Sequence, residues 1–268
     1  MVERSWFRAG IDPLNLQPQG FRAGGGGTHQ AMTMMLRELT LLLAVGGGDL
    51  ASLRRLIAEE NVLGKSTAAA KASALRHLRN LYGLGTHSVV TDGLATLWPL
   101  DSDSRPTLAL LCAIARDPLL RDTADVVLAA PVGAKVGAHE IAERLTAVHP
   151  GRLSPSMVGG VSRNCASSWT QSGHLKGRVH KVRTRALATP VAAAYAALLA
   201  WLAGFGGPAL IDSPWMDVLD LSPNERLALL RRAEALGLLR VRAAGDVVEV
   251  LLDPLMARIN ARAQAANV

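Results

Sequence analysis

Residues 138–187 read AHEIAERLTAVHPGRLSPSMVGGVSRNCASSWTQSGHLKGRVHKVRTRAL, and their periodicity decides the fold. In 138–148 the apolar residues Ile141, Leu145 and Val148 recur at helical spacing, so this is a short amphipathic helix. A turn follows, and Ser154-Pro155 then supplies an N-cap and a proline at the first helical position. The helix that they open extends to Gln171. Met157, Val161, Cys165 and Trp169 recur every four residues as its inward stripe, leaving Ser156, Gly160, Arg163, Ser167 and Thr170 outward. Gly173 ends it, and 174–187 read as two short strands around a basic turn. Helix, turn, helix and hairpin in this order predict a winged helix-turn-helix.

The charge map isolates the same segment. The 68 residues between Glu143 and Asp212 contain no Asp or Glu, yet hold eight cations: Arg144, Arg152, Arg163, Lys176, Arg178, Lys181, Arg183 and Arg185. The remaining 21 cations meet 22 acids, so the net charge of +7 resides in this segment. A surface that neutralises several phosphates releases counterions from duplex DNA, which makes such a patch a candidate DNA interface. The competing reading is a solvated basic face or a dock for an acidic partner. In the DNA reading, Arg163 enters the major groove, where its guanidinium can pair with guanine. Ser156, Asn164, Ser167 and Gln171 approach bases or phosphates from the same helix. Lys176, Arg178, His180, Lys181, Arg183 and Arg185 grip phosphates from the hairpin. Arg abundance alone says little, because 24 of the 29 cations are Arg in an Ala- and Gly-rich chain.

Outward from this core, the chain divides by pattern. Residues 1–27, with Pro13, Pro18 and the run Gly24 to Gly27, read as a flexible tail. Residues 28–130 read as a helical N-terminal domain. Its helices start at Thr28 (Met32, Met35, Leu36 and Leu39 on one face), at Asp49 and near Ser66, with shorter ones over 93–100, 105–116 and 118–130. Residues 131–188 form the basic winged-helix domain. Residues 189–268 form a smaller winged-helix-like unit, with a capping box at Ser222-Pro223-Asn224-Glu225 and a hairpin turning at Ala244-Gly245-Asp246. Five cations and five acids balance between Ser222 and Pro254, so this unit is expected to dock protein and not DNA. The fold class is therefore mainly α, a helical bundle followed by two winged-helix-like units with short β-hairpins.

Composition narrows the classes further. Hydrophobic residues at 49% supply a core, and aromatics at 4% leave it to Leu, Ala and Val. Cys112 and Cys165 lie too far apart for a disulfide framework or a Cys-based zinc module. The longest apolar stretch, 190–205, is shorter than the roughly 20 residues a spanning helix needs, so no membrane association is expected and the compartment reads as cytoplasmic.

Apparent catalytic motifs fail on their own chemistry. Gly64-Lys65-Ser66-Thr67 imitates the end of a phosphate-binding loop, but Glu59 stands where that loop needs its first glycine. His139-Glu140 begins like a zinc-protease helix, but the position of the second ligand holds Glu143. No Glu-x-Lys or Asp-x-Lys occurs, which removes the usual end of a restriction-nuclease site, and Asp101 and Asp103 fit a solvated loop. No enzyme activity, metal or cofactor is expected.

Residues 53–81 (LRRLIAEENVLGKSTAAAKASALRHLRNL) place the step Glu60-Asn61-Val62-Leu63 before a Ser/Thr-rich helix start and a basic helix. Residues 113–120 (AIARDPLL), 154–175 ending in Ser-Gly-His-Leu, and 213–239 with Trp215 and Leu236-Gly237-Leu238-Leu239 follow in order. Together these blocks resemble the BrxA proteins of BREX phage-defence systems over roughly residues 28–255, with the first 27 residues outside the match. The resemblance implies a small, mostly helical, non-enzymatic DNA-binding component that works with other defence proteins. The alternatives are a protein-interaction adaptor and a winged-helix transcriptional regulator, which would need a specific operator.

Overall fold

The computed structural model describes residues 5–24, 26–46, 49–244 and 247–265. The chain is mainly helical with two small antiparallel hairpins among the described residues. In chain order the elements are α1 (Leu36–Ala44), α2 (Leu50–Arg54), α3 (Ala68–Tyr82), α4 (Val89–Leu97), α5 (Arg105–Arg116), α6 (Pro118–Arg121), α7 (Ala124–Leu128), α8 (Ala138–Val148) and α9 (Pro155–Gln171). Then come β1 (Leu175–Lys176), β2 (Val182–Arg183), α10 (Pro190–Leu202), α11 (Pro208–Ile211), α12 (Pro214–Asp217), α13 (Pro223–Ala235), β3 (Arg240–Ala244), β4 (Val247–Leu251) and α14 (Asp253–Ala265).

Two compact units divide the chain, and each is assembled from separated segments: residues 1–22, 88–111 and 186–268 in one, 23–87 and 112–185 in the other. The expected order of consecutive domains is thus replaced by an interleaved one.

In the first unit α10 is the centre. Its residues from Ala192 to Ala200 are fully buried, as a helix apolar all round must be. Gly93 lets α4 approach it, because a Cβ there would lie 2.9 Å from Leu198 Cδ2. Tyr195 donates its hydroxyl to the Val90 carbonyl at 2.8 Å. The N-terminal segment corrects the reading of a flexible tail. Trp6 and Phe21 stack edge-on against buried Trp215 at 4.8 and 5.5 Å, and Trp215 Nε1 donates to the Trp6 carbonyl at 2.9 Å. At the other end, the capping box at Ser222 and Glu225 forms as the sequence requires. The β3–β4 register pairs Arg242 with Glu249, while the turn residues Gly245 and Asp246 lie outside the described residues.

The second unit holds the basic segment. Thr67 caps α3 and Asp49 caps α2, both through side-chain oxygens. Two expected helices differ. The first does not start at Thr28: 28–30 form a single 3-10 turn, Met35 adopts φ 52°, and the helix begins at Leu36. The second, 118–130, is broken into α6 and α7, because the Thr123 hydroxyl donates to the Leu120 carbonyl at 2.7 Å and accepts Trp169 Nε1 at 2.9 Å. Lys65 of the rejected phosphate-loop imitation is bound to Glu38 at 2.8 Å.

Candidate nucleic-acid interface

The interface is built on α8 and α9. Ile141 and Leu145 of α8 are buried, as are Val158, Val161, Cys165 and Trp169 of α9. Glu140 Oε2 accepts from Gly137 N at 2.8 Å to start α8, and Ser154 Oγ accepts from Met157 N at 3.3 Å to start α9. Met157 itself departs from the expected stripe. It sits in the first turn and is 44% exposed, and Val158 takes the inward place.

A single antiparallel bridge, unseen in the sequence, ties the segment before α8 to the hairpin. Lys135 bridges antiparallel to Val182, with Arg183 N donating to the Ala134 carbonyl at 2.8 Å and Val136 N to the Lys181 carbonyl at 3.1 Å. Across this sheet Lys176 and Lys135 both oppose Val182, so the three side chains share one face. Lys135 and Lys176 are exposed there. Leu175 and Arg183 oppose each other on the other, buried face.

That register corrects one assignment outright. Arg183 is 1% exposed, and its guanidinium donates to the carbonyls of His174 (3.3 Å) and Thr184, so it cannot reach a phosphate. Two further candidates are engaged inside the protein. Asn164 Nδ2 donates to the His29 carbonyl at 2.9 Å, and Gln171 Oε1 accepts from Leu36 N at 3.0 Å. Both are half-buried, because the segment from His29 to Leu36 crosses the flank of α9 that the sequence left open. Ser156, Arg163, Lys176, Arg178, His180 and Arg185 are exposed, and Ser167 is half-buried. Lys181 is intermediate. Its Nζ donates to Thr170 Oγ1 at 2.7 Å and to the Gly177 carbonyl at 3.2 Å, tying the hairpin loop to α9, and burial holds its pKa below the ordinary lysine value.

The remaining cations are unequal. Arg144 contacts Asp125 at 2.9 Å, so its charge is compensated. Arg152 lies 3.4 Å from His149, which itself pairs with Asp122 at 2.8 Å. Lys135 was missed because it lies before the acid-free segment. Its signal is the short run Ala134-Lys135-Val136 between Gly133 and Gly137. In the C-terminal hairpin both cations are matched, Arg240 to Asp253 at 2.9 Å and Arg242 to Glu249 at 3.5 Å.

Behind α9 lies a buried polar chain with the arrangement of a hydrolase triad. His29 Nδ1 donates to Asp117 Oδ2 at 2.7 Å, and His29 Nε2 lies 2.8 Å from Ser168 Oγ. Its members are also tied into the surrounding backbone. Ser168 is fully buried, and its oxygen is already engaged by Met34 N at 2.8 Å and the Asn164 carbonyl at 3.0 Å. Asp117 Oδ1 also caps α6 through Leu119 N at 3.1 Å. Gly27 is required at this place, since a Cβ there would sit 1.9 Å from Asp117 Oδ1. Burial alone would raise the Asp117 pKa, but the His29 charge and the hydrogen bonds from His29 and Leu120 outweigh it and hold the carboxyl below its ordinary value.

Among the described residues no group of three His, Cys, Asp or Glu can hold a metal ion, and no helix is long and apolar enough to cross a membrane. Comparison with protein families, with curated proteins and with solved structures finds no match.

Proposed function

We propose that this chain binds double-stranded DNA, without catalysis, through a winged helix-turn-helix formed by α8, α9 and the β1–β2 hairpin with its bridge to Lys135. One observation carries the reading: Arg163, Lys176, Arg178 and Lys135 are exposed on α9, the adjoining hairpin with its loop, and the segment bridged to it, none of which contains an Asp or Glu. In this reading Arg163, with Ser156 and Ser167, faces the major groove. Lys176, Arg178, His180, Lys181 and Arg185 hold phosphates from the hairpin, joined by Lys135. The C-terminal hairpin, whose cations are matched by acids, is free to dock protein through exposed Val247. The setting we propose is the one implied by the BrxA resemblance, a cytoplasmic BREX-type anti-phage assembly.

The test is a titration of a labelled duplex without metal or nucleotide. With about five phosphate contacts, log K falls against log salt with a slope of about −4 to −5. A flat response, or no retention at about 50 mM salt, rejects DNA in favour of an acidic protein partner.

A further inference from the structure

Resting on the DNA-binding reading, we infer that the ligand class is B-form duplex of any sequence, and that the chain alone selects no operator. The outward strip of α9 is Ser156, Gly159, Gly160, Arg163, Ser167 and Thr170. Arg163 is the one long polar side chain in it, and Met157, exposed in the first turn, carries no strong hydrogen-bonding group for a base edge. Hydroxyls as short as serine let the helix backbone approach the duplex but discriminate weakly among base edges. The side chains of α9 suited to read adenine, Asn164 and Gln171, need both amide atoms presented together. Here both side chains are half-buried, and one N–H of Asn164 Nδ2 is spent on the His29 carbonyl and one lone pair of Gln171 Oε1 on Leu36 N, which orients both amides toward the protein. The Thr170 hydroxyl is likewise engaged by Lys181.

The buried chain of His29, Asp117 and Ser168 anchors this arrangement. His29 is fixed between Asp117 and Ser168, and Met34 N is bound to the same Ser168. The segment that occupies the two amides is therefore anchored in the core and does not swing away when DNA arrives. Base readout reduces to one arginine, and one bidentate arginine–guanine contact discriminates about 5- to 150-fold. Operator binders discriminate about 10³- to 10⁷-fold. The cations of the sheet contribute affinity that carries no sequence information.

The experiment uses the full chain. A labelled duplex is competed with unlabelled duplexes of unrelated sequence and equal length, and the protein is put through repeated selection from a random duplex library. Unrelated duplexes are expected to compete within about 150-fold of one another, the library fails to converge, and Arg163→Ala levels the residual preference while circular dichroism stays unchanged. Duplex RNA, whose deep and narrow major groove excludes a helix, competes poorly. A converged motif favoured about 10³-fold or more overturns this inference while leaving DNA binding intact. Retention of no duplex overturns both.

Discussion

His29 and Asp117 meet at 2.7 Å with no solvent access to either side chain. Removing one partner of a buried, hydrogen-bonded pair strands the other. His29→Ala is therefore expected to lower unfolding stability by about 3–5 kcal/mol, read from a shift in the urea midpoint. A loss under about 1 kcal/mol, the range of an exposed pair, would show that the site is wet.

Ser168 closes the same chain, with its Oγ 2.8 Å from His29 Nε2. Ser168→Ala leaves Met34 N and His29 Nε2 without their oxygen and is expected to cost about 1–3 kcal/mol. The native protein should also remain unlabelled by a fluorophosphonate probe under conditions that label a serine hydrolase. Stoichiometric labelling at Ser168 would overturn the structural role.

Acid sensitivity follows with a definite sign. The folded-state pKa of Asp117 is lowered, so its contribution to stability is complete above the unfolded value of about 3.9 and is lost as pH falls through the folded value. The urea midpoint is expected to drop on acidification from about pH 5, and Asp117→Asn to flatten that drop. Glu38, Asp49 and Glu140 are lowered too and remain in both proteins, so the difference between the two curves isolates Asp117.

The two hairpins separate by charge. Lys176→Glu with Arg178→Glu should weaken every duplex alike and reduce the salt slope by about 2, whereas Arg240→Ala with Arg242→Ala should leave both nearly unchanged. Equal losses from the two pairs would mean that the C-terminal hairpin also touches DNA.

Lys135 provides an independent check on the sheet. It lies outside the acid-free segment, and only the register across Val182 brings it beside Lys176. Lys135→Glu should lower the salt slope by about 1, as the loss of one phosphate contact does. An unchanged slope with the fold intact would confine the interface to α9 and the loop between β1 and β2.

What was readable in the sequence was local. The starts of α9 and α13 follow from caps and prolines within four residues of one another, α8 follows from its apolar period, and the α9 stripe holds from Val161 onward because helical period is a nearest-neighbour property. What was unreadable depends on partners far away in the chain. His29 is 88 positions from Asp117 and 139 from Ser168, and nothing near any of the three announces the others. Asn164 and Gln171 looked outward by period alone, since the segment that covers them is more than a hundred residues upstream. Arg183 was counted with its basic neighbours because charge composition ignores the alternation of a strand. Residues 5–22 looked irregular for a related reason. Their order comes from Trp215, not from any repeat of their own.

The interleaving of the two units sets a schedule for the nascent chain. The unit holding α9 cannot close until residue 185 has left the ribosome, although its first strand of chain emerged at residue 23. The other waits for α14, which packs on α4, and Trp6 and Phe21 lack the Trp215 ring until it is made. Such distant closures are slow and leave apolar surface uncovered meanwhile. Expression of residues 131–188 by themselves, the obvious excerpt for a DNA-binding study, would omit His29, Met34 and Asp117 and so would leave Ser168 only its bond to the Asn164 carbonyl.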